Sequence, residues 1–198
     1  QLENTIVVFT ADHGDTIGSH RLFEKGGTMS EEVYRVPLLM QIPGISQESK
    51  TEERFISSVD LMPTLIELCT GQTVDDIDGK SIVPLFSNNS ISVSWRNSIF
   101  AEYHGDVWGP YTQRMVRNDS YKYVYNPYDK DELYDMVNDP YEMKNLAYIQ
   151  EFTLQLEEMR ALLHGWILDS KDMLTHPYVL RNFPEPKLPY TLLSHSRC

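Results

Sequence analysis

Thr5-Ile6-Val7-Val8-Phe9 runs directly into Thr10-Ala11-Asp12-His13-Gly14, and the junction between the two decides how the chain is read. The first run is β-branched or aromatic without alternation, the pattern of a strand buried on both faces. The second is polar and ends in glycine, so the chain leaves the strand in a sharp turn. In open α/β sheets, ligands bind beyond the carboxyl ends of the strands. Asp12 and His13 stand at such an end. The polar loop continues to Gly27. Residues 30–35 then predict a short helix, with Glu31 and Glu32 suiting the positive end of its dipole. Residues 36–42 predict a second buried strand opened by Pro37. Asp60 is positioned to cap a helix through Leu61, Leu65 and Leu68, with Cys69 on its apolar face and Gly71 ending it. Strand, loop, helix, strand, helix is the order of an α/β layer.

Past about Asn88 the texture changes. Residues 99–103, 113–117 and 121–125 are short strand-like segments, and Asn118-Asp119-Ser120 makes a hairpin turn between the last two. Ile149, Phe152, Leu156, Met159 and Leu163 recur at helical spacing, with Glu151, Glu157, Glu158 and Arg160 off that stripe. The fold class expected is therefore α/β, with a small antiparallel sheet and a packed C-terminal helix beside it. The expected divisions are 1–98 for the α/β layer with its loop and 99–168 for the antiparallel subdomain and helix. Residues 169–198 form a Pro-rich extended tail, where Pro177, Pro184, Pro186 and Pro189 preclude regular structure.

The chain has 198 residues with 17 Lys and Arg against 29 Asp and Glu, a formal charge of −12. Neither half carries a basic excess. Nucleic acid and anionic lipid draw their sequence-independent affinity from basic surfaces, so neither is expected as a partner. Two cysteines, Cys69 and Cys198, are too few for a disulfide framework. No apolar run approaches the roughly 20 residues that span a bilayer. The abrupt opening into a strand reads as a chain missing its beginning, and compartment and oligomeric state have no signature here.

Adjacent Asp12 and His13 offer a hard oxygen and an imidazole nitrogen, a pair compatible with several divalent metals. On residues alone the same tripeptide also suits an Asx-type turn with a solvated histidine. Asp15 reads as a loop cap. Lys25 offers an ammonium to an oxyanion. His104 and Arg114 lie where substrate-selecting loops would fall, and Tyr103, Trp108 and Tyr111 flank Gly105 and Gly109 in a loop that either stacks on a ligand or packs on the sheet.

The longer string Asp12-His13-Gly14, Gly18-Ser19-His20 and Lys25, thirteen residues after Asp12, resembles the metal-binding segment of sulfatases in the alkaline phosphatase superfamily. Val36-Pro37-Leu38, Val59-Asp60-Leu61-Met62-Pro63-Thr64-Leu65 and Gly79-Lys80-Ser81-Ile82-Val83-Pro84-Leu85 are similar to later blocks of that family. So are Arg114-Met115-Val116-Arg117 through Tyr121-Lys122-Tyr123 and Glu132-Leu133-Tyr134-Asp135 through Asn145-Leu146, which match its C-terminal sheet. Six blocks in order cover roughly residues 5–165.

The resemblance implies an alkaline-phosphatase-like sheet of which residues 1–98 are the late part. It implies that Asp12 and His13 ligate a divalent cation, calcium in most members, with manganese, magnesium or zinc as alternatives because His13 stands where many members carry asparagine. It makes Lys25 and His20 the catalytic candidates: Lys25 on sulfate or phosphate oxygens, His20 either on substrate or bracing the loop. The implied reaction is metal-assisted hydrolysis of a small-molecule or carbohydrate sulfate ester. A phosphonate or phosphate ester hydrolase and a non-catalytic anion-binding pseudoenzyme are the alternatives. The family's nucleophile is a formylglycine made from a C-x-P-S-R-like motif. Neither Cys69, in Cys69-Thr70-Gly71-Gln72-Thr73, nor Cys198 fits it. The nucleophile and a pair of aspartates are expected in an N-terminal half, without which these residues are expected to be inactive.

Overall fold

A computed structural model describes residues 2–45, 50–86, 93–105, 111–175, 183, 184 and 187. The chain forms two sheets. Strand β1 (Val7–Thr10) pairs antiparallel with β2 (Leu38–Gln41), from Val7 opposite Gln41 to Thr10 opposite Leu38. Between them lie the polar loop and a single helical turn, α1 (Glu31–Tyr34). Helix α2 (Leu61–Thr70) follows and ends at Gly71, whose φ of +71° supplies the left-handed cap.

The second sheet is an antiparallel meander of β3 (Ser98–Tyr103), β4 (Gln113–Asn118), β5 (Tyr121–Tyr125) and β6 (Glu132–Asp135). Asn118 makes the β4–β5 turn by accepting the N–H groups of Ser120 and Tyr121. Helix α3 (Thr153–Asp169) covers one face of this sheet. Leu156, Met159 and Leu163 of the expected stripe meet Val116, Tyr123 and Leu133 in the main core, and Ile149 and Phe152 pack at its edge.

Period-two alternation puts a different set on the opposite face. Met115 and Val124 point away from α3 and pack with Met29 and Tyr34, residues of the polar loop and α1. The antiparallel sheet is thus held between α3 and the segment that carries the candidate site.

Three expectations are corrected. Both strands of the small sheet were read as doubly buried, yet Phe9 is 62% and Leu39 60% exposed. Among the described residues each strand pairs only with the other, and the face carrying Phe9 and Leu39 lacks neighbours, while Leu38 and Met40 on the opposite face pack against Ile82, Leu85 and Trp95. Cys69 is likewise exposed rather than packed, on a helix that also presents Met62 and Leu65 to solvent. Asp60 does not cap α2 with its side chain. Its fully buried carboxylate accepts both Arg96 nitrogens at 2.7 and 2.8 Å and the backbone N–H groups of Ser57 and Lys80. That fastens the start of α2 to the segment leading into β3. Of the expected extended tail, all but residues 169–175, 183, 184 and 187 lies outside the described residues.

One buried ion cluster joins the two halves. Lys122 of β5 is 0% exposed, with its Nζ 2.6 Å from Glu142 Oε1 and 3.3 Å from Glu31 Oε1. Glu142 Oε2 in turn accepts the backbone N–H of Glu31 at 2.8 Å. Lys122→Met keeps the stem volume and strips the charge, leaving Glu142 without its cation and Glu31 with Arg117 alone. It is expected to cost roughly 3–5 kcal/mol of unfolding free energy in denaturant titration, as for other broken buried pairs. A loss under about 1 kcal/mol, in the range of an exposed pair, contradicts the assignment.

Candidate active site

The site begins where β1 ends. The N–H of His13 donates to Asp12 Oδ1 at 2.9 Å, and this bond holds the exposed Asp12 carboxyl below its ordinary pKa. His13 Nδ1 lies 2.7 Å from the carbonyl oxygen of Gly14, which only accepts. Nδ1 therefore carries the proton, and Nε2 keeps its lone pair. The Lys25 ammonium donates to that lone pair at 2.7 Å, and Asp12 Oδ2 lies 3.5 Å from the same nitrogen.

Gly14 is required here for a reason other than the sharp turn expected. Its N–H donates to the carbonyl of Val33 at 2.8 Å, and a Cβ at this position would lie 1.8 Å from the carbonyl oxygen of Glu32. Only glycine lets the loop lie this close to α1. Further on, buried Thr16 donates its hydroxyl to the carbonyl of Glu24, closing the loop on itself. Asp15 accepts the N–H of Ile17 and is the loop cap expected. Ile17, His20, Arg21 and Glu24 all have positive φ, between 41° and 71°. Left-handed backbone at four non-glycine residues is strain that the surrounding contacts must hold, and such strain clusters at functional sites.

The structure brings Asp12, His13 and Lys25 together. It turns His20 elsewhere, with Nε2 3.5 Å from Glu32 Oε2. Arg114 is fully buried, with Nε and Nη2 on the two oxygens of Asp172 at 2.5 and 2.9 Å and Nη1 on Thr112. It staples β4 to the turn after α3 and has no free face for a substrate, a correction to its placement among substrate-selecting groups. His104 is half-exposed and sits 3.1 Å from Glu102. Tyr111 donates to Asn126, while Trp108 and Gly109 lie outside the described residues. Sequence reasoning missed Ser30, Glu32 and Glu142, which gather around His20. The one signal for them was Lys122, a charge at an inward position of an otherwise aromatic strand.

The donors fit a divalent cation. A carboxylate oxygen and an imidazole lone pair stand at the spacing of two ligands on one ion, and the Lys25 ammonium already marks the spot as one that holds positive charge. Two side chains are fewer than the six or so donors calcium takes.

The family model described as N-sulphoglucosamine sulphohydrolase, C-terminal, matches residues 18–167, a span that includes His20 and Lys25. The chain is 38% identical over 173 residues to a Delta 4,5-hexuronate-2-O-sulfatase of Bacteroides thetaiotaomicron, covering 85% of this chain and 36% of that protein. It superposes at a TM-score of 0.78, with 28% identity, on the structure of a protein in complex with its substrate D-glucosamine-2-N,6-O-disulfate, covering 86% of this chain and 35% of that one. It superposes at 0.67, with 27% identity, on a phosphonate monoester hydrolase of Agrobacterium radiobacter, covering 85% and 35%. The chain thus spans about a third of the length of these relatives.

Gly14→Ala tests the loop geometry. The added methyl must displace the loop from α1, and overpacking of this kind is expected to cost about 1–3 kcal/mol of stability in thermal denaturation. An unchanged melting temperature contradicts the close approach.

Proposed function

Since the chain belongs to the sulfatase family and matches the C-terminal part of its members, we propose that it supplies the cation- and anion-binding side of a sulfatase active site. The observation that carries this reading is the convergence of Asp12, His13 and Lys25 on one point beyond β1. Sulfatases of this family generally use a divalent metal and a formylglycine. In this reading the formylglycine comes from outside these 198 residues, and the reaction is hydrolysis of a sulfate ester on a carbohydrate. Relatives whose names carry hexuronate and glucosamine sulfates support that substrate class.

Asp12 and His13 Nε2 would hold the cation, calcium by family likeness, with manganese, magnesium or zinc accommodated by the imidazole. The cation supplies Lewis-acid stabilisation of the charge on the transferring group. The residues of this chain do the rest. The Gly14 carbonyl fixes the His13 tautomer, so Nε2 is a ligand without first losing a proton. Lys25 and a metal cannot both occupy Nε2. With that nitrogen's lone pair given to a metal, the Lys25 ammonium would be available to the oxygens of the anion. His20, paired with Glu32, braces the loop rather than touching substrate. The division into residues 1–98 with the site loop, 99–168 with the antiparallel sheet and α3, and a tail from 169 is part of the same proposal.

A phosphonate or phosphate ester hydrolase is the second reading. His13 beside Asp12 and the likeness to a phosphonate monoester hydrolase favour it.

Lys25→Ala in a polypeptide that contains both this chain and the nucleophile segment separates role from scaffold. Lys25 lies on an exposed loop, so the melting temperature is expected to hold. Turnover of nitrophenyl sulfate is expected to fall about 10²–10³-fold, or about 2.7–4 kcal/mol, as when one charge-stabilising donor is lost. Unchanged turnover contradicts the role, and faster turnover of nitrophenyl phosphonate or phosphate by the parent favours the second reading.

A further inference from the structure

Two buried polar atoms without a hydrogen-bond partner, Ser30 Oγ and Glu32 Oε2, meet beside Glu142 Oε1, whose partner is the Lys122 ammonium at 2.6 Å. His20, Ser30 and Glu142 line a cavity of about 30 Å³, with Glu132 and Tyr134 on its wall. That is room for one water-sized occupant. Ligand atoms from His20, Glu32 and Glu142 all lie within 4.8 Å of one another. Ser30 is only 6% exposed, and its hydroxyl, on the same cavity, has no partner at full hydrogen-bond distance, while against the upward push of burial it helps as a neighbour to lower the Glu32 pKa.

The charge here is out of balance. Glu31, Glu32, Glu132 and Glu142 gather around the cations Lys122 and Arg117. Lys122 reaches Glu142 Oε1 as an ion pair, and the other oxygen of Glu142 takes the Glu31 N–H. Neither contact reaches Glu32, whose Oε2 lies 3.5 Å from His20 Nε2. Burial, and behind it the charges of Glu132 and Glu142, push the Tyr134 phenol well above its ordinary pKa, as expected next to uncompensated negative charge. Four carboxylates around two full cations leave an excess of negative charge, and a bound cation is one remedy.

We propose that this cavity is a divalent-cation site, with His20 Nε2, one oxygen each of Glu32 and Glu142, and the Ser30 hydroxyl as its donors. One imidazole with carboxylate and hydroxyl oxygens suits zinc or manganese better than calcium, which prefers oxygen alone. The ion would tie three separate segments: the strained turn at His20, helix α1 at Glu32, and the stretch after β6 at Glu142. It accounts for the left-handed backbone of His20, which presents the ring to Glu32. The proposal does not depend on the reading of Asp12 and His13.

Zinc chloride titrated into the chain carrying Asp12→Ala tests it, since that background removes the other pair of candidate ligands. Calorimetry is expected to give one zinc per chain, and the melting temperature is expected to rise on zinc addition. His20→Ala and Glu32→Gln, at partly exposed positions, are each expected to weaken zinc binding at least tenfold and to abolish the zinc-dependent rise. Their metal-free melting temperatures are expected to fall by no more than a few degrees from the Asp12→Ala parent, so that lost zinc binding is distinguished from lost folding. Failure of the Asp12→Ala chain to bind zinc overturns the site. So does binding that neither substitution weakens, or calcium binding as tight as zinc.

Discussion

Lys122 sits without solvent exposure between Glu31 and Glu142, and the rest of the structure is arranged around that fact. Placing an ammonium in the interior is unfavourable unless carboxylates meet it at short range. The carboxylates come from α1 and from the stretch after β6, so the charge is compensated only when the polar loop lies on the antiparallel sheet. Met29 and Tyr34 pack against Met115 and Val124 on that face, and the Glu31 N–H closes on Glu142. A buried pair of this kind adds less to net stability than to the choice of one arrangement. Here the arrangement chosen is the one that fixes α1. Gly14 is anchored on α1, and Asp12 and His13 precede it directly. The ion cluster and the candidate active site are therefore parts of one construction.

Much of this was legible in the sequence because it depends on local period. The α3 stripe, the Asn118 hairpin and the Gly71 stop each follow from residues a few positions apart, and each stands where expected. The cluster of Asp12, His13 and Lys25 was legible only through the family pattern, since a three-residue signal alone also describes a turn. Glu142 was not legible at all. It meets Glu31 across 111 positions, and nothing in its surroundings marks it as buried. Arg114 misled in the opposite sense, because a guanidinium bound face to face by Asp172 looks in sequence like one free for an anion.

The small sheet carries a different lesson. An apolar run reports that a strand is fit for burial, not that neighbours are at hand. Phe9, Leu39 and Met62 are exposed among the described residues, and the chain spans about a third of the length of its relatives. The same proportion bears on the chemistry: the proposed cation and anion donors are on this chain, while neither cysteine in it sits in a nucleophile motif.

The central claim is that Asp12 and His13 hold a divalent cation and that Lys25 then turns to the anion. Anomalous diffraction from crystals of the chain soaked in manganese and sulfate tests it directly. The account predicts a manganese peak bonded to the Asp12 carboxylate and to His13 Nε2, with the Lys25 ammonium moved off the imidazole onto a sulfate oxygen. No peak between Asp12 and His13, with Lys25 still on Nε2, would contradict it.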